Sequence, residues 1–198
     1  IPKNARLILP IDLEADKYLM ELLDRRHCQL IFSEPVSEAG EGYQAVNTGL
    51  ALATVECLGL ATSPALEAML GIRPDRYDFH VARCGGAEVA MAFAINDITS
   101  TRNLFRSLMW PKSETRLIYN HRADRPGRFQ SFIEWLSQAH WREVLIIGDK
   151  PRKRCGSARY LRIKDEQELL RLFQPGDRVF GCGNIAGIPL SLAAVLGR

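Results

Sequence analysis

From residue 88 onward, short apolar runs alternate with amphipathic ones, and this rhythm restricts the fold more than any other feature of the chain. Residues 88–94 are apolar after Glu88 and rich in small and β-branched types, the mark of a buried strand. The apolar run stops at Asn96-Asp97. Thr99, Ser100 and Thr101, hydroxyl residues suited to N-caps, then open an amphipathic helix over 101–109. Strands are predicted again at 116–120, 143–147, 158–163 and 178–181, and helices at 128–139, 165–173 and 190–196. Parallel strands need long crossovers, usually helical, and an alternation of this kind supplies them. The chain therefore reads as α/β, with a mostly parallel sheet and helices on both faces. One antiparallel addition is expected: strands at 77–83 and 88–95, joined around Gly85-Gly86, form a hairpin signal.

The residues before this region read differently. A strand at 6–11, a helix at 13–26 capped by Asp12 and a strand at 29–33 predict one right-handed βαβ unit. An alanine- and leucine-rich helix at 44–58 carries small residues at Ala45, Gly49, Ala51 and Ala53, for close packing. Ser63-Pro64 has N-cap and N1 chemistry, with Glu67 as capping partner, for a helix that ends at Gly71. The charged, proline-containing Arg73-Pro74-Asp75-Arg76 is the expected boundary between domains 1–73 and 74–198. The chain starts at Ile1 rather than Met, which points to a fragment of a longer protein.

Composition excludes little. A net charge of +3 argues neither for nor against nucleic acid. The five cysteines are scattered without a C-x-x-C pair, which suits free thiols in a reducing compartment. No apolar run approaches the roughly 18 residues that a membrane-spanning helix needs.

The predicted strand ends carry the chemistry. They read Asn96-Asp97, Asn120-His121-Arg122-Ala123-Asp124-Arg125-Pro126, Gly148-Asp149-Lys150 and Gly181-Cys182-Gly183-Asn184. In an open α/β sheet, ligands sit at the carboxyl ends of strands, against helix N-termini that favour anions. Carboxylates there can hold ribose hydroxyls or orient an amine, and arginines can take carboxylate or phosphate oxygens in bidentate fashion. Glycines at 181, 183 and 187 would allow close backbone approach, yet no G-x-x-x-x-G-K-[ST] phosphate loop is present. Plainer readings stand beside these. The Asn96-Asp97 turn can be a helix cap and nothing more, and Asp124-Arg125 can be a turn held by a local ion pair. Arg152-Lys153-Arg154 can be a solvated loop or an anion-binding one. His121 is the histidine in a candidate site, while His27, His80 and His140 sit in element positions. A zinc set of His80, Cys84 and Cys182 lacks ligand spacing, and no metal site is expected. Trp110, Trp135 and Trp141 read as core or domain-contact residues.

These motifs resemble a known family. The stretch 93–101, FAINDITST, is similar to the A-F-A-A-N-D-P-E-S-T segment of the ligase subunit of poly-γ-glutamate synthase, in the Mur ligase superfamily. Asn120 to Pro126 resembles its N-x-R-A-D-R-P motif, and Gly181 to Gly187 its G-x-G-N-x-x-G. Upstream, Asn47 to Ala53 with Leu58-Gly59 resembles the N-x-x-x-A-L-A…L-G helix that ends Mur-type central domains, and Arg73-Pro74-Asp75 matches an R-P-D linker. The chain departs from the pattern at Ile98, where the family has proline, at Thr99, where it has an acidic residue, and at Met91, where it often has Asn. The resemblance implies that 1–73 is the end of a central ATPase domain, whose phosphate loop lies upstream, and that 74–198 is a Rossmann-like C-terminal ligase domain. It implies an ATP- and Mg²⁺-dependent ligase that activates a carboxylate as an acyl phosphate and joins it to the amine of glutamate. Asn96 and Asp97 would face the nucleotide. Asp97, Arg122 and Asp124 would be catalytic, and His121, Arg122, Arg125 and Asn184 would bind substrate. The implied partners are glutamate, the growing poly-γ-glutamate chain and small membrane subunits at the inner face of a bacterial membrane, with no nucleic acid and the oligomeric state open. The alternatives are a non-catalytic module for a nucleotide or acidic peptide, and an assembly subunit of a polymer-export complex.

Overall fold

The computed structural model describes residues 1–72 and 77–197. The chain divides into two compact units, residues 1–73 and 74–198. The expected linker Arg73-Pro74-Asp75-Arg76 lies outside the described residues.

In the first unit, β1 (Arg6–Pro10) and β2 (Gln29–Ser33) pair in parallel, with Leu7 opposite Leu30 and Leu9 opposite Phe32. The connection between them differs from the single helix expected at 13–26. It splits into a 3₁₀ turn, Ile11–Ala15, and helix α1, Lys17–Arg25. Asp12 lies inside the 3₁₀ turn and cannot cap. The cap is Asp16, whose carboxylate accepts the Leu19 N–H at 3.0 Å. Helices α2 (Tyr43–Cys57) and α3 (Thr62–Leu70) complete the unit. Helix α3 begins two residues earlier than Ser63-Pro64 predicts, with Ala61 in the cap position and no side-chain cap bond. Pro64 is tolerated because first-turn N–H groups have no intrahelical partner.

The second unit is a six-stranded sheet in the order β3-β4-β8-β5-β6-β7. β3 (Val81–Cys84) and β4 (Ala87–Met91) form the expected hairpin around Gly85-Gly86. Both glycines have positive φ (56° and 85°), the requirement of the tight turn whose twist matches paired strands. Every other pairing is parallel. β4 and β5 (Thr115–His121) both flank β8 (Arg178–Cys182), β5 also pairs with β6 (Glu143–Gly148), and β6 pairs with the two-residue β7 (Arg159–Tyr160). The strand expected at 158–163 is reduced to this edge, matched only at Leu145 and Ile146. β4 also stops before the apolar run does. Beyond Met91 the chain turns, and Phe93 is buried without being in a strand.

Alternation along the strands builds two cores. Leu117, Tyr119, Val144, Ile146 and Phe180 pack one face against Phe105 of α4 (Ile98–Ser107) and Phe129, Phe132 and Trp135 of α5 (Pro126–Leu136). Ile118, Leu145, Ile147 and Val179 pack the other against Leu169 of α6 (Glu166–Leu170) and Leu192 and Ala193 of α7 (Ile188–Leu196). Successive residues of a strand point to opposite faces, so a near-continuous apolar run is what a strand buried on both sides requires. Pro126 opens α5 as an N1 proline, two residues before the predicted start.

Candidate functional site

The parallel pairing of β4, β8, β5 and β6 puts their carboxyl ends on one edge. There β5 ends in two polar residues that are nonetheless buried, Asn120 and His121. They occupy opposite faces, and each is held differently.

Asn120 is a latch. Its Nδ2 donates to the carbonyls of Asn184 at 2.7 Å and Ala186 at 2.8 Å, tying β5 to the loop between β8 and α7. Asn184 closes that loop on itself, its Oδ1 accepting the Ala186 N–H at 2.8 Å. Arg128 of α5 adds a bond to the Gly183 carbonyl at 3.1 Å. The strand ends approach so closely that side chains are excluded. A Cβ on Gly183 (φ 104°) would meet the Asn120 carbonyl and the Tyr119 ring. One on Gly148 (φ 79°) would meet the His121 carbonyl and Asn120 Oδ1.

His121 sits on the other face with its ring 4.6 Å from that of Phe129, centroid to centroid. Its Nδ1 is buried without a hydrogen-bond partner. Burial lowers the imidazole pKa, and the Asp149 carboxylate opposes this only in part. The ring is therefore neutral at pH 7, and the tautomer that avoids a stranded buried donor carries its proton on Nε2.

Past the strand, Arg122 grips Asp124 with two bonds, Nε to Oδ1 at 2.9 Å and Nη2 to Oδ2 at 2.6 Å. The Arg122 hydrogen bonds, opposed by slight desolvation, hold the Asp124 carboxyl below the usual carboxylate range. The ion pair in this turn thus joins Asp124 to Arg122 rather than to Arg125, and both Asp124 oxygens are engaged. Arg125 is exposed and occupies the N-cap position of α5. Across the edge, the Asp149 backbone N–H donates to the His121 carbonyl at 3.0 Å and its Oδ2 accepts the Ala123 N–H at 2.8 Å.

These residues enclose a cleft of about 280 Å³, lined by Asn120, His121, Arg122, Gly148, Asp149, Ala186, Gly187 and Ile188. Helix α7 starts in this wall, with Gly187 as its N-cap and no side-chain cap bond; Pro189 has no N–H to offer and the Leu190 N–H donates to the Gly187 carbonyl at 3.0 Å, so the helix end acts mainly through its dipole. The lining thus offers a guanidinium and a positive helix end for a carboxylate or phosphate, and a carboxylate for an ammonium. Both ends of an amino acid find a partner there.

Other predicted residues stay outside this cleft. Asp97 is the N-cap of α4, its Oδ1 accepting the Ser100 N–H at 2.7 Å, while Thr101 hydrogen-bonds back to the Asp97 carbonyl at 2.7 Å. None of the three hydroxyl residues expected to cap the helix does so, because the helix begins at Ile98. Asn96 is exposed on the same turn. Asn184 is buried, its Oδ1 engaged within its own loop. Asn120 and Asp149 were not selected from sequence as site residues. The signal for Asn120 is a polar residue inside an otherwise apolar strand, which demands a partner once buried. Among the described residues, no group of three His, Cys, Asp or Glu side chains could hold a metal ion.

A larger cleft, about 770 Å³, lies at the opposite edge, where Glu88, Asp177 and Arg178 line it. Apart from Arg83, its charges are already paired among the described residues. Arg116 and Arg142 bind Asp177 at 2.9 and 2.7 Å, and Arg178 binds Glu114 at 2.6 Å. This is an ionic network that closes the amino ends of the strands.

Residues 76–198 match the family described as the poly-gamma-glutamate synthase CapB C-terminal domain. Among solved structures, the chain is similar to a murein peptide ligase Mpl from Psychrobacter arcticus, at 15% identity over 100% of this chain and 52% of that one, TM-score 0.60. It is similar to MurF ligase from Thermotoga maritima in complex with ADP, at 12% identity over 98% and 53%, TM-score 0.57. It is also similar to folylpolyglutamate synthase from Thermotoga maritima, at 15% identity over 99% and 55%, TM-score 0.51. At these identities the likeness is one of fold, and the chain spans about half the length of each structure. No curated protein matches it.

Proposed function

The chain belongs to the poly-gamma-glutamate synthase CapB C-terminal domain family, and from that premise we propose that it forms part of an ATP-dependent ligase that joins a carboxylate to the amine of glutamate, extending a poly-γ-glutamate chain. The observation that carries this reading is the strand-end cleft, which can hold an amino acid by both of its charged ends.

In this reading the α-carboxylate of the incoming glutamate lies against Arg122 and the start of α7. Asp124 fixes the Arg122 guanidinium, so little side-chain entropy is lost on binding. Asp149 orients the amine, and neutral His121 donates from Nε2 without bringing a competing positive charge. Asn120 and Asn184 hold the α7 loop in place, and Arg125 lies beside the entrance for the acidic polymer. Catalysis of this kind rests on positioning and charge stabilisation. ATP would supply the activation, transferring a phosphoryl group to the carboxylate to give an acyl phosphate and ADP; attack of the amine on the acyl carbon would then form the amide and release phosphate. The helix end and arginines fit a surface that closes on an anionic site, but the described residues offer no set for Mg²⁺. The nucleotide and its metal are assigned to residues outside this cleft. The exposed Asn96 turn is the part of this chain that would meet the nucleotide, with Asp97 acting through α4.

Small membrane subunits at the inner face of a bacterial membrane are the partners this activity implies. No helix among the described residues is long and apolar enough to cross a membrane.

The test is ADP release by the full-length protein with Mg²⁺ and ATP, with and without glutamate and a polyglutamate acceptor. Glutamate-dependent release that falls at least about tenfold in Arg122→Ala and His121→Ala is expected, the loss of one charge-assisted contact. Release dependent on another amino acid would change the substrate. A folded full-length protein that releases no ADP with any acceptor would overturn the reading in favour of a binding module.

A further inference from the structure

A smaller cleft opens where α4, α5 and the 3₁₀ turn Lys112–Glu114 meet, away from the strand-end site. Its volume is about 140 Å³, and Arg102, Phe105, Arg106, Lys112, Trp135 and Gln138 line it. Three of the six are cations, and among the described residues no carboxylate lines the cleft. Arg102 and Arg106 stand one turn apart on α4, a spacing at which like charges repel. Among the described residues Arg106 reaches only a neutral partner, Asn103 Oδ1, at 3.1 Å. Lys112 donates to Gln138 Oε1 at 2.6 Å and lies 5.3 Å from the centre of the Trp141 ring. Burial, and then the charges of Arg102 and Arg106, hold the Lys112 pKa below its ordinary value. Glu114 is close in sequence but is bound to Arg178.

Arg102 lines the cleft beside Arg106 and Lys112, and its Nε is buried and, among the described residues, has no acceptor. A buried guanidinium N–H without a partner is costly, and packing it beside two more cations compounds the cost. The arrangement lacks one thing, a negatively charged acceptor. We infer that this cleft is an oxyanion site that takes a single carboxylate or phosphate group between Arg102, Arg106 and Lys112. Its volume is below the roughly 300–1,000 Å³ of clefts that take whole small molecules, so one group enters and the rest of the ligand stays outside. A γ-linked glutamate chain offers such a group on every residue, a source that rests on the ligase reading. Free phosphate is the source that does not.

The full chain is titrated at constant ionic strength with inorganic phosphate and, separately, with a γ-linked glutamate pentamer. Binding is followed by calorimetry and by the Nε–H correlation of Arg102 in NMR spectra. A saturable shift of that signal is expected, with the dissociation constant raised about tenfold in Arg106→Gln and in Lys112→Gln. Arg106 is exposed, so its replacement leaves the packing intact. Tighter binding of the pentamer identifies polymer carboxylates as the ligand, and binding of phosphate alone identifies a phosphate site. No saturable shift with either probe, or an affinity unchanged in both variants, overturns the inference. Anion binding without ADP release would keep this site and remove the ligase reading; release without anion binding would do the reverse.

Discussion

Replacing Asn120 tests whether two parts of the chain far apart in sequence are joined by one side chain. Asn120 is 4% exposed, and its amide nitrogen makes two bonds, at 2.7 and 2.8 Å. In Asn120→Ala both are lost. The Ala186 carbonyl borders the open cleft and can take water, so its loss is worth about 1 kcal/mol, the net value of a neutral hydrogen bond. The Asn184 carbonyl is buried and stays unpaired, at a cost of about 1–3 kcal/mol. The sum is roughly 2–4 kcal/mol, or about 8–16 °C in Tm for a unit of this size. Asn120→Asp sharpens the test. It keeps the shape but sets a carboxylate against two carbonyl oxygens, so it is expected to cost more than Ala at pH 7. That carboxyl's folded pKa would rise above its unfolded value of about 3.9, because its charged form is the disfavoured one. The folded state then binds more protons than the unfolded state, and stability falls as pH rises from about 4 through the folded pKa. Asn120→Asp should therefore approach wild type near pH 4 and fall away by pH 7. The assay is urea unfolding followed by far-UV circular dichroism, with equal m-values as the check on a common unfolded state. An Asn120→Ala variant within about 0.5 kcal/mol of wild type, or an Asp variant no worse than Ala at pH 7, would refute the latch.

Three further outcomes are expected. Asp97→Ala should lose about 1 kcal/mol with the α4 cap, whereas Asp97→Ser should retain most of that stability and ADP release; loss of release in a stable Asp97→Ser protein would return Asp97 to the nucleotide site. Burial pushes the Asp177 carboxyl up, but the Gln174 N–H and the Arg142 and Arg116 guanidiniums outweigh it and hold the pKa below the usual range. The stability it contributes is present above pH 4 and lost as pH falls through the folded pKa, so Asp177→Asn should be several kcal/mol less stable at pH 7, with a flatter acid limb in unfolding scans. The lowered His121 pKa makes the folded state bind fewer protons than the unfolded state below about pH 6.5. Stability should fall over that window as pH falls, and His121→Phe should remove that part of the slope in the same scans.

The fold was legible because it follows from local pattern. Apolar strands buried on both faces, amphipathic helices between them and the Gly85-Gly86 turn are each readable within a dozen residues. Element ends were less so, since they depend on contacts the pattern does not contain. Phe93 is buried but not in a strand, and β7 pairs with β6 over two residues only. Asp16 rather than Asp12, and Asp97 rather than Thr99, Ser100 or Thr101, became caps because each helix starts where its backbone first turns helical, and only the residue just before that point can accept the free N–H groups.

By itself, then, the sequence determined the α/β class and which stretches would meet at strand ends, because period and residue type are properties of neighbours along the chain. The tertiary structure decided which of those polar residues face the cleft and which are used up holding it together. Strand order, which inserts β8 between β4 and β5, brings Asn120 against Asn184 and Ala186 and commits it to a latch. The same packing gathers Arg102 and Arg106 of α4 and Lys112 of the following 3₁₀ turn around one cleft, a grouping no motif in the sequence marks. Leaving a buried polar group without a partner is costly, and which partner it can reach is fixed by distance in space, a quantity that no spacing along the chain contains.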